Sequence, residues 1–272
     1  MRRVLITGAT SGIGRAAAER FARDGYEVGI LAESSAHVEK TVSEIQNAGF
    51  KAFGLIVDLS NAADVQGVIT RIEADGKPID VLVNNAGIGL QGDIIETSDS
   101  DLRRLFEVNF FAMASLCREA MVCMGARKKG HIINVSSASA RRALPGLSAY
   151  SSTKAAMHAF SQALRIEAAA IGVSVTELLP MSVKTPFFEN AQNKSDKPYE
   201  IPTFSTTPEV VAEQIFRAVQ RPIPEMYTSQ LARFGMAVDG MMPFLFDRVL
   251  VKHRKKSMAV KLPADGKGKM IS

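Results

Sequence analysis

Tyr150-Ser151-Ser152-Thr153-Lys154 places a phenol and an ammonium four residues apart. On a helix that spacing projects both side chains from one face. An unperturbed phenol titrates near pH 10, too high to exchange protons readily in neutral water. A neighbouring ammonium favours the phenolate and lowers that pKa. At about 4 Å and an effective dielectric near 20, the pair interacts by roughly 4 kcal/mol. That is about three pKa units, enough to bring the phenol near neutrality. Ser137, upstream of the pair, can hold a carbonyl oxygen against the phenol. The chemistry on offer is proton transfer at an oxygen atom, and its worth depends on the elements around it.

Those elements begin with a short buried strand, Arg3 to Thr7, followed by Gly8-Ala9-Thr10-Ser11-Gly12-Ile13-Gly14 and a helical pattern from Arg15 to Arg23. A strand, a glycine-rich turn and a helix N-terminus form a pyrophosphate cradle, because free amides face a ligand that glycines let approach closely. The spacing is Gly-x-x-x-Gly-x-Gly, and a bare turn needing glycines for geometry is the competing reading. A second strand runs from Tyr26 to Leu31, and beyond it Glu33 falls about 20 residues past the turn, where an acid can accept hydrogen bonds from a ribose. A helix from Ala36 to Asn47 leads to a strand from Ala52 to Val57 and to Asp58 at its C-terminal rim. Asp58 suits either a ligand or the cap of a helix starting near Asn61.

Ile79 to Val83 is a further strand running into Asn84-Asn85-Ala86-Gly87, small residues and amides suited to backbone contact with a ligand. One helix is expected from Leu102 to Met124, with Asn109 polar amid its apolar stripe. Such an asparagine either bonds neighbouring backbone or holds a water chain. His131 to Val135 is a strand ending at Ser136-Ser137, and Gly172 to Leu179 is another, closed by Pro180. Strands alternating with helices imply an α/β fold, a doubly wound parallel sheet with helices on both faces.

Composition fits one domain. Of 272 residues, 46% are hydrophobic and 22% charged, ample for a core, and no apolar run is long enough to span a membrane. Eight basic residues against Asp265 put +7 in residues 248–272, so the net +5 leaves −2 for the remainder. The basic balance thus describes a tail, not a nucleic-acid-binding surface. Cys117 and Cys123 are expected to be free thiols of a reducing, cytoplasmic compartment, with no metal site.

Together, Thr7-Gly8-x-x-x-Gly12-Ile13-Gly14, Asp58, Asn84-Asn85-Ala86-Gly87, Asn109, Ser137, Tyr150 and Lys154 resemble the short-chain dehydrogenase/reductase family in order and spacing, over roughly residues 3–185. The resemblance implies hydride transfer between NAD or NADP and a carbonyl or secondary alcohol. It makes Tyr150 the acid/base, with Ser137 on the same oxygen. Lys154 would tune the tyrosine and bond the nicotinamide ribose, and Asn109 would support a water-linked relay to Lys154. Gly8, Ser11, Gly12, Ile13, Gly14, Asp58, Asn85, Ala86 and Gly87 would line the dinucleotide, with Val183 and Thr185 meeting its nicotinamide amide and phosphates. Glu33 stands about where relatives that prefer NADP carry arginine, and a carboxylate there repels a 2′-phosphate, so NAD is favoured. Met181 replaces the family's usual glycine after Pro180, on the nicotinamide or substrate side. His131 and His158 are expected to be structural.

The catalytic domain is assigned to residues 1–247, with a substrate lid at about 186–206 carrying Phe187, Phe188 and Phe204, and the basic tail to 248–272. A helix is expected from Glu209 to Gln220. Phe234, Met236, Met241, Met242, Phe244, Leu245 and Phe246 suit a greasy pocket, core or a subunit interface. The basic cluster behind them also fits a peripheral membrane contact. A lipophilic substrate of sterol, retinoid or acyl-chain type and a homo-oligomer complete the expectation. The alternative is a dinucleotide-binding regulator or scaffold that does no chemistry.

Overall fold

The computed structural model of the chain describes residues 1–187, 189–194 and 205–257. Phe188, Phe204 and the basic residues beyond 257 lie outside the described residues.

The chain forms β1 (Arg3–Thr7), α1 (Gly12–Arg23), β2 (Glu27–Ala32), α2 (Ser35–Asn47), β3 (Ala52–Ile56), α3 (Ala62–Val65), α4 (Val68–Glu73) and β4 (Val81–Asn84). Then come β5 (Leu90–Gln91), α5 (Asp99–Phe106), α6 (Ala112–Ala126), β6 (His131–Val135), α7 (Ser148–Ala170), β7 (Ser174–Leu179) and β8 (Gln192–Asn193). The last elements are α8 (Pro208–Gln220), β9 (Glu225–Tyr227), α9 (Gln230–Met241) and α10 (Pro243–Ser257). The main sheet has seven strands in the order β3-β2-β1-β4-β6-β7-β9, every pairing parallel. Parallel strands buried on both faces read as continuous apolar runs, and Val4, Leu5 and Ile6 of β1 are fully buried.

One face of the sheet packs α1 and α8 around Val4, Ile6, Phe21, Val28, Ile133 and Ile215. Phe21 meets Tyr26 and Phe216 edge-on at 5.0 and 5.4 Å. The opposite face carries Leu5, Leu82, Ile132 and Val175 beneath Ile69, Leu116 and Met157 of α4, α6 and α7. Strand order reverses between β1 and β4, and a crevice opens there at the C-terminal ends of the strands, where doubly wound sheets bind ligands.

Three differences from the sequence reading have local causes. The helix expected from Leu102 to Met124 starts at Asp99, where Ser98 and Asp101 form a capping box, and a π-helical turn at Glu107–Phe111 divides it. The turn, Glu107-Val108-Asn109-Phe110-Phe111, holds neither proline nor glycine and keeps the chain helical, so the sequence reads α5 and α6 as one helix. Short β9 extends the sheet beyond the six strands read from sequence. The apolar C-terminal residues form α9 and α10, and α10 runs across the 247/248 boundary, so the basic segment begins inside a helix. Leu231, Phe234 and Met241 are exposed on these helices, not core. Among the described residues, no helix is long and apolar enough to cross a membrane.

Candidate active site

The crevice is built first from the joint between β1 and β4. Thr7 Oγ1 accepts the backbone N–H groups of Asn85 and Ala86, both at 2.9 Å, and Asn85 Nδ2 donates to the carbonyls of Thr7 and Gly8 at 3.0 and 3.3 Å. Gly8 adopts φ +65°, and a Cβ there would stand 2.9 Å from Ala86 Cα. Two strand ends are thus drawn together at backbone distance, and only glycine fits between them. Ser11 caps α1 with an extended φ of −152° and makes no side-chain capping bond, so the helix presents its first amides to the crevice.

These residues open into a cavity of about 560 Å³. Of the residues expected to bind the dinucleotide, Gly8, Ser11, Gly12, Ile13, Glu33, Asp58, Asn85, Ala86, Gly87, Val183 and Thr185 line it, as do Ser137, Tyr150 and Lys154. Asp58 is held by Ser60, whose Oγ and N–H donate to Oδ1 at 2.7 and 2.8 Å, and these bonds keep its carboxyl below the usual range. The cap of α3 falls instead to Asn61, whose side chain accepts from Ala63 N–H.

Two expected positions stand behind the wall. Gly14 lies against the Gly8 carbonyl and Asn85 and makes room for the cradle without lining it. Asn109, carried by the π-helical turn, is fully buried. Its Oδ1 accepts from Ile88 N–H at 2.8 Å, and its Nδ2 donates to Ile88 O and Thr153 Oγ1 at 3.0 and 3.1 Å. It therefore fixes the strand-end loop to α7. Its contacts include the backbone pairing that was one of its two readings, and its Oδ1 lies beside Gly87, as does Lys154 Nζ.

At the other end of the cavity, Tyr150 is buried, and Lys154 Nζ lies 5.9 Å from its ring centre and donates to Val135 O at 3.1 Å. Burial lowers Lys154 to about 8, with the charge of Glu177 opposing the fall. Sequence reasoning treated this lysine only as the agent of a shift and missed that its own desolvation is large. Ser137 Oγ accepts from Ser139 N and Oγ at 3.1 and 2.9 Å and so keeps its own proton to donate. His131 is buried against Thr176, and burial lowers it to about 4, consistent with a structural role.

Several lining residues were not foreseen: Thr10, Ser34, His37, Ile88, Arg104, Val108 and Asn190. They come from loops, from α2 and α5 and from the π-helical turn, and no motif marks them. Met181 and Phe187 lie on the tyrosine's side, with Phe187 centred 5.8 Å from the Tyr150 ring. The part of the expected lid that is described is fastened down. β8 pairs with β5, Lys194 Nζ meets Asp101 at 3.0 Å, and Ala191 packs on Gly89. Cys117 is buried and Cys123 half-buried, both free thiols.

A parallel sheet opening at its switch point, with a glycine cradle at one end and a Ser–Tyr–Lys set at the other, defines a dinucleotide-fold protein with a polar reaction centre. The family model for short chain dehydrogenase matches residues 2–196, and the chain belongs to that family. It is 34% identical over 254 residues to a probable oxidoreductase, EphD, of Mycobacterium tuberculosis, covering 86% of this chain and 42% of that protein. The chain therefore spans less than half the length of that relative. It is 29% identical over 265 residues to estradiol 17-beta-dehydrogenase 11 of Macaca fascicularis, covering 96% of this chain and 84% of that one. Among solved structures, a short-chain dehydrogenase from Sphingobium yanoikuyae in complex with NADPH superimposes with a TM-score of 0.79 at 25% identity, over 98% of this chain and all of that one.

Proposed function

We propose that this chain is an NAD(P)-dependent oxidoreductase that interconverts a carbonyl group and a secondary alcohol. The observation that carries the proposal is one cavity lined at one end by the glycine turn and at the other by Ser137, Tyr150 and Lys154. The residues fit a dinucleotide. The uncapped start of α1 and the close Gly8–Ala86 approach suit a pyrophosphate, and Asp58 and Glu33 offer acceptors on the same wall.

A bound nicotinamide supplies or accepts the hydride, and the protein handles position and proton. In reduction Tyr150 gives its phenolic proton to the carbonyl oxygen, and in oxidation it takes the hydroxyl proton. Ser137 donates to the same oxygen. Lys154, charged below about pH 8, favours the phenolate and bonds the nicotinamide ribose. The test is absorbance at the nicotinamide band with a panel of ketones and alcohols. Signal with none of them in either direction favours the regulator reading, although a regulator has no need of the whole Ser–Tyr–Lys–Asn set.

NAD is the favoured dinucleotide. Glu33 stands exposed on the cavity wall, and the nearby Arg15 is already paired with Glu19 and Glu44 at 2.8 Å each. A 2′-phosphate thus meets a carboxylate and no free guanidinium from α1. We expect NADH to bind at least about tenfold tighter than NADPH, a difference of about 1.4 kcal/mol, and Glu33→Arg to narrow or reverse it. Fluorescence titration with both dinucleotides checks this, and tighter binding of NADPH by the unmodified chain ends the NAD assignment.

A lipophilic substrate of sterol, retinoid or acyl-chain type fits a cavity that Ile88, Val108 and Met181 line together with Phe187, which stands beside Tyr150. The estradiol-dehydrogenase name of one relative points the same way. Peripheral membrane contact belongs to the same reading. Leu231, Phe234, Met241, Phe244 and Val249 are exposed on α9 and α10, and Arg248 and Lys252 follow on α10. Apolar side chains beside cations suit an anionic bilayer surface. We expect the full chain to sediment with anionic vesicles and a chain cut after Asp247 to do so less; equal partitioning removes the tail as the anchor. Phe111 on the π-helical turn, Val122 on α6 and Ile166 on α7 are exposed and leave apolar surface for a homo-oligomer, for which light scattering is the measurement.

A further inference from the structure

Behind the reaction centre, away from the cavity, four polar side chains stand in register across four strands. Asn84 of β4 pairs with Asn134 of β6, Asn134 with Glu177 of β7, and Glu177 with Glu225 of β9. They belong to the sheet face that α7 covers, and α7 answers with Lys154, His158 and Ser161, spaced four and three residues apart along one helix face. Asn84 Nδ2 donates to Asn134 Oδ1 and Asn134 Nδ2 to Ser161 Oγ, both at 2.9 Å. Two carboxylates side by side on neighbouring strands repel each other, and buried polar groups are retained only when partnered.

The partners of Glu177 define its charge. His158 Nδ1 lies 2.6 Å from Glu177 Oε2, and His158 Nε2 lies 2.7 Å from Arg141 Nη1 and 3.1 Å from Gln162 Nε2. A guanidinium nitrogen can only donate, so Nε2 must accept and the single imidazole proton sits on Nδ1. His158 is therefore neutral and donates to Glu177. A protonated imidazole would cancel the carboxylate's charge, and Arg141 prevents this by occupying Nε2. Glu177 is fully buried, and its Oε1 has no hydrogen-bond partner among the described residues. Its charge opposes the effect of burial on Lys154, one helical turn before His158.

The donor atoms of His158, Glu177 and Glu225 lie within 4.8 Å of one another, close enough to hold a cation. Arg141 already provides the positive charge at that place. Glu225 is satisfied separately, accepting from Tyr227 OH at 2.7 Å.

We propose that Glu177, hydrogen-bonded by His158 with Arg141 behind the imidazole, is a positioning residue that keeps Lys154 charged behind the tyrosine. The inference rests on the role given to Lys154 above. Burial alone drives an ammonium toward its neutral form, and a neutral lysine cannot stabilise the Tyr150 phenolate. The opposing charge must come from the sheet side. Tyr150 and His158 share the helix of Lys154, Glu177 acts on the lysine from the sheet with Glu225 in register beside it, Arg141 after β6 stands on the far side of His158, and Cys117 on α6 meets Asn84 and Asn134. Burial holds the Cys117 thiol un-ionised, up at about 12. Glu177 is thus the acid left to act on the lysine.

The test reads Lys154 directly, without dinucleotide or substrate. In the full chain labelled with ¹³C-lysine, the Cε resonance of Lys154 is assigned by its loss in Lys154→Arg and followed against pH. Glu177→Gln is expected to lower the Lys154 midpoint by about one unit or more. The alkaline limb of kcat against pH should move the same way, since Lys154 then loses its proton at lower pH. His158→Leu, which strips the donor from Glu177, should act similarly. His158→Asn keeps an N–H donor where Nδ1 stood and should hold the midpoint near its original value. If Glu177→Gln does not fold, the two His158 variants carry the test. A midpoint that stays put in Glu177→Gln, or falls equally in His158→Leu and His158→Asn, overturns the proposal, whatever happens to the melting temperature. An unmodified chain that turns over no carbonyl compound ends the proposed function instead, and the lysine titration still decides this inference.

Discussion

Tyr150→Phe is expected to lose turnover almost completely, with kcat down by about 10³-fold or more, the contribution of a positioned acid or base. The ring is buried and packs near Phe187, and both features survive the substitution. Only the hydroxyl goes, and with it the acid/base that Lys154 is placed to tune. Lys154 keeps its bond to Val135 O, and the glycine cradle at the far end of the cavity is untouched. Dinucleotide affinity and melting temperature should therefore stay near those of the parent chain. Stopped-flow or steady-state absorbance gives kcat, and quenching of the nicotinamide fluorescence gives affinity. Retention of a tenth or more of the original kcat would remove Tyr150 from the chemistry. Ser137 would then become the residue to examine.

The candidate site was legible because its parts are short and local. Gly8 to Gly14, Asn84 to Gly87, and Tyr150 to Lys154 each carry their meaning in a few consecutive residues, and each sits at a strand end or on a helix face that periodicity locates. The buried strands were equally plain, since both-face burial leaves continuous apolar runs. What could not be read is what depends on distant pairings. Asn109 was visible as a polar residue on an apolar stripe, but its partners, Ile88 and Thr153, are fixed only when α7 packs against the π-helical turn. Glu177 lies in the strand Gly172 to Leu179 with no motif to mark it. Its significance appears only when β7 takes its place between Asn134 and Glu225 and His158 comes down from α7. His158 was expected to be structural, and it has a partner that local sequence could not supply. β9 and the β5–β8 pair are too short to carry a period, and they exist because their neighbours offer an edge.

Gly14→Ala is expected to weaken NADH and NADPH binding alike by about 100-fold, roughly 2.7 kcal/mol. Gly14 touches neither the cavity nor a strained backbone region, so the effect must be argued from its neighbours. A Cβ at this position would lie 2.3 Å from the Gly8 carbonyl oxygen and 2.5 Å from Asn85 Nδ2. Neither can yield alone, because Asn85 Nδ2 donates to the Thr7 and Gly8 carbonyls and so ties the ends of β4 and β1. Relief requires the glycine turn to lift away from the β4 end, and that joint forms the cradle floor. Some stability will be lost too, so a control is needed that costs stability elsewhere. Gly25 lies after α1 at φ +79° with no atom within 4 Å of an added Cβ. Gly25→Ala thus incurs backbone strain of about 1 kcal/mol without touching the cradle. Its melting temperature should fall while its dinucleotide affinity holds. If Gly14→Ala and Gly25→Ala melt earlier by similar amounts and both bind NADH as the parent chain does, the turn is a plain strand-to-helix connection. A large loss of affinity confined to Gly14→Ala means that the close packing of three backbone segments, beyond the residues that face the cavity, shapes the dinucleotide site.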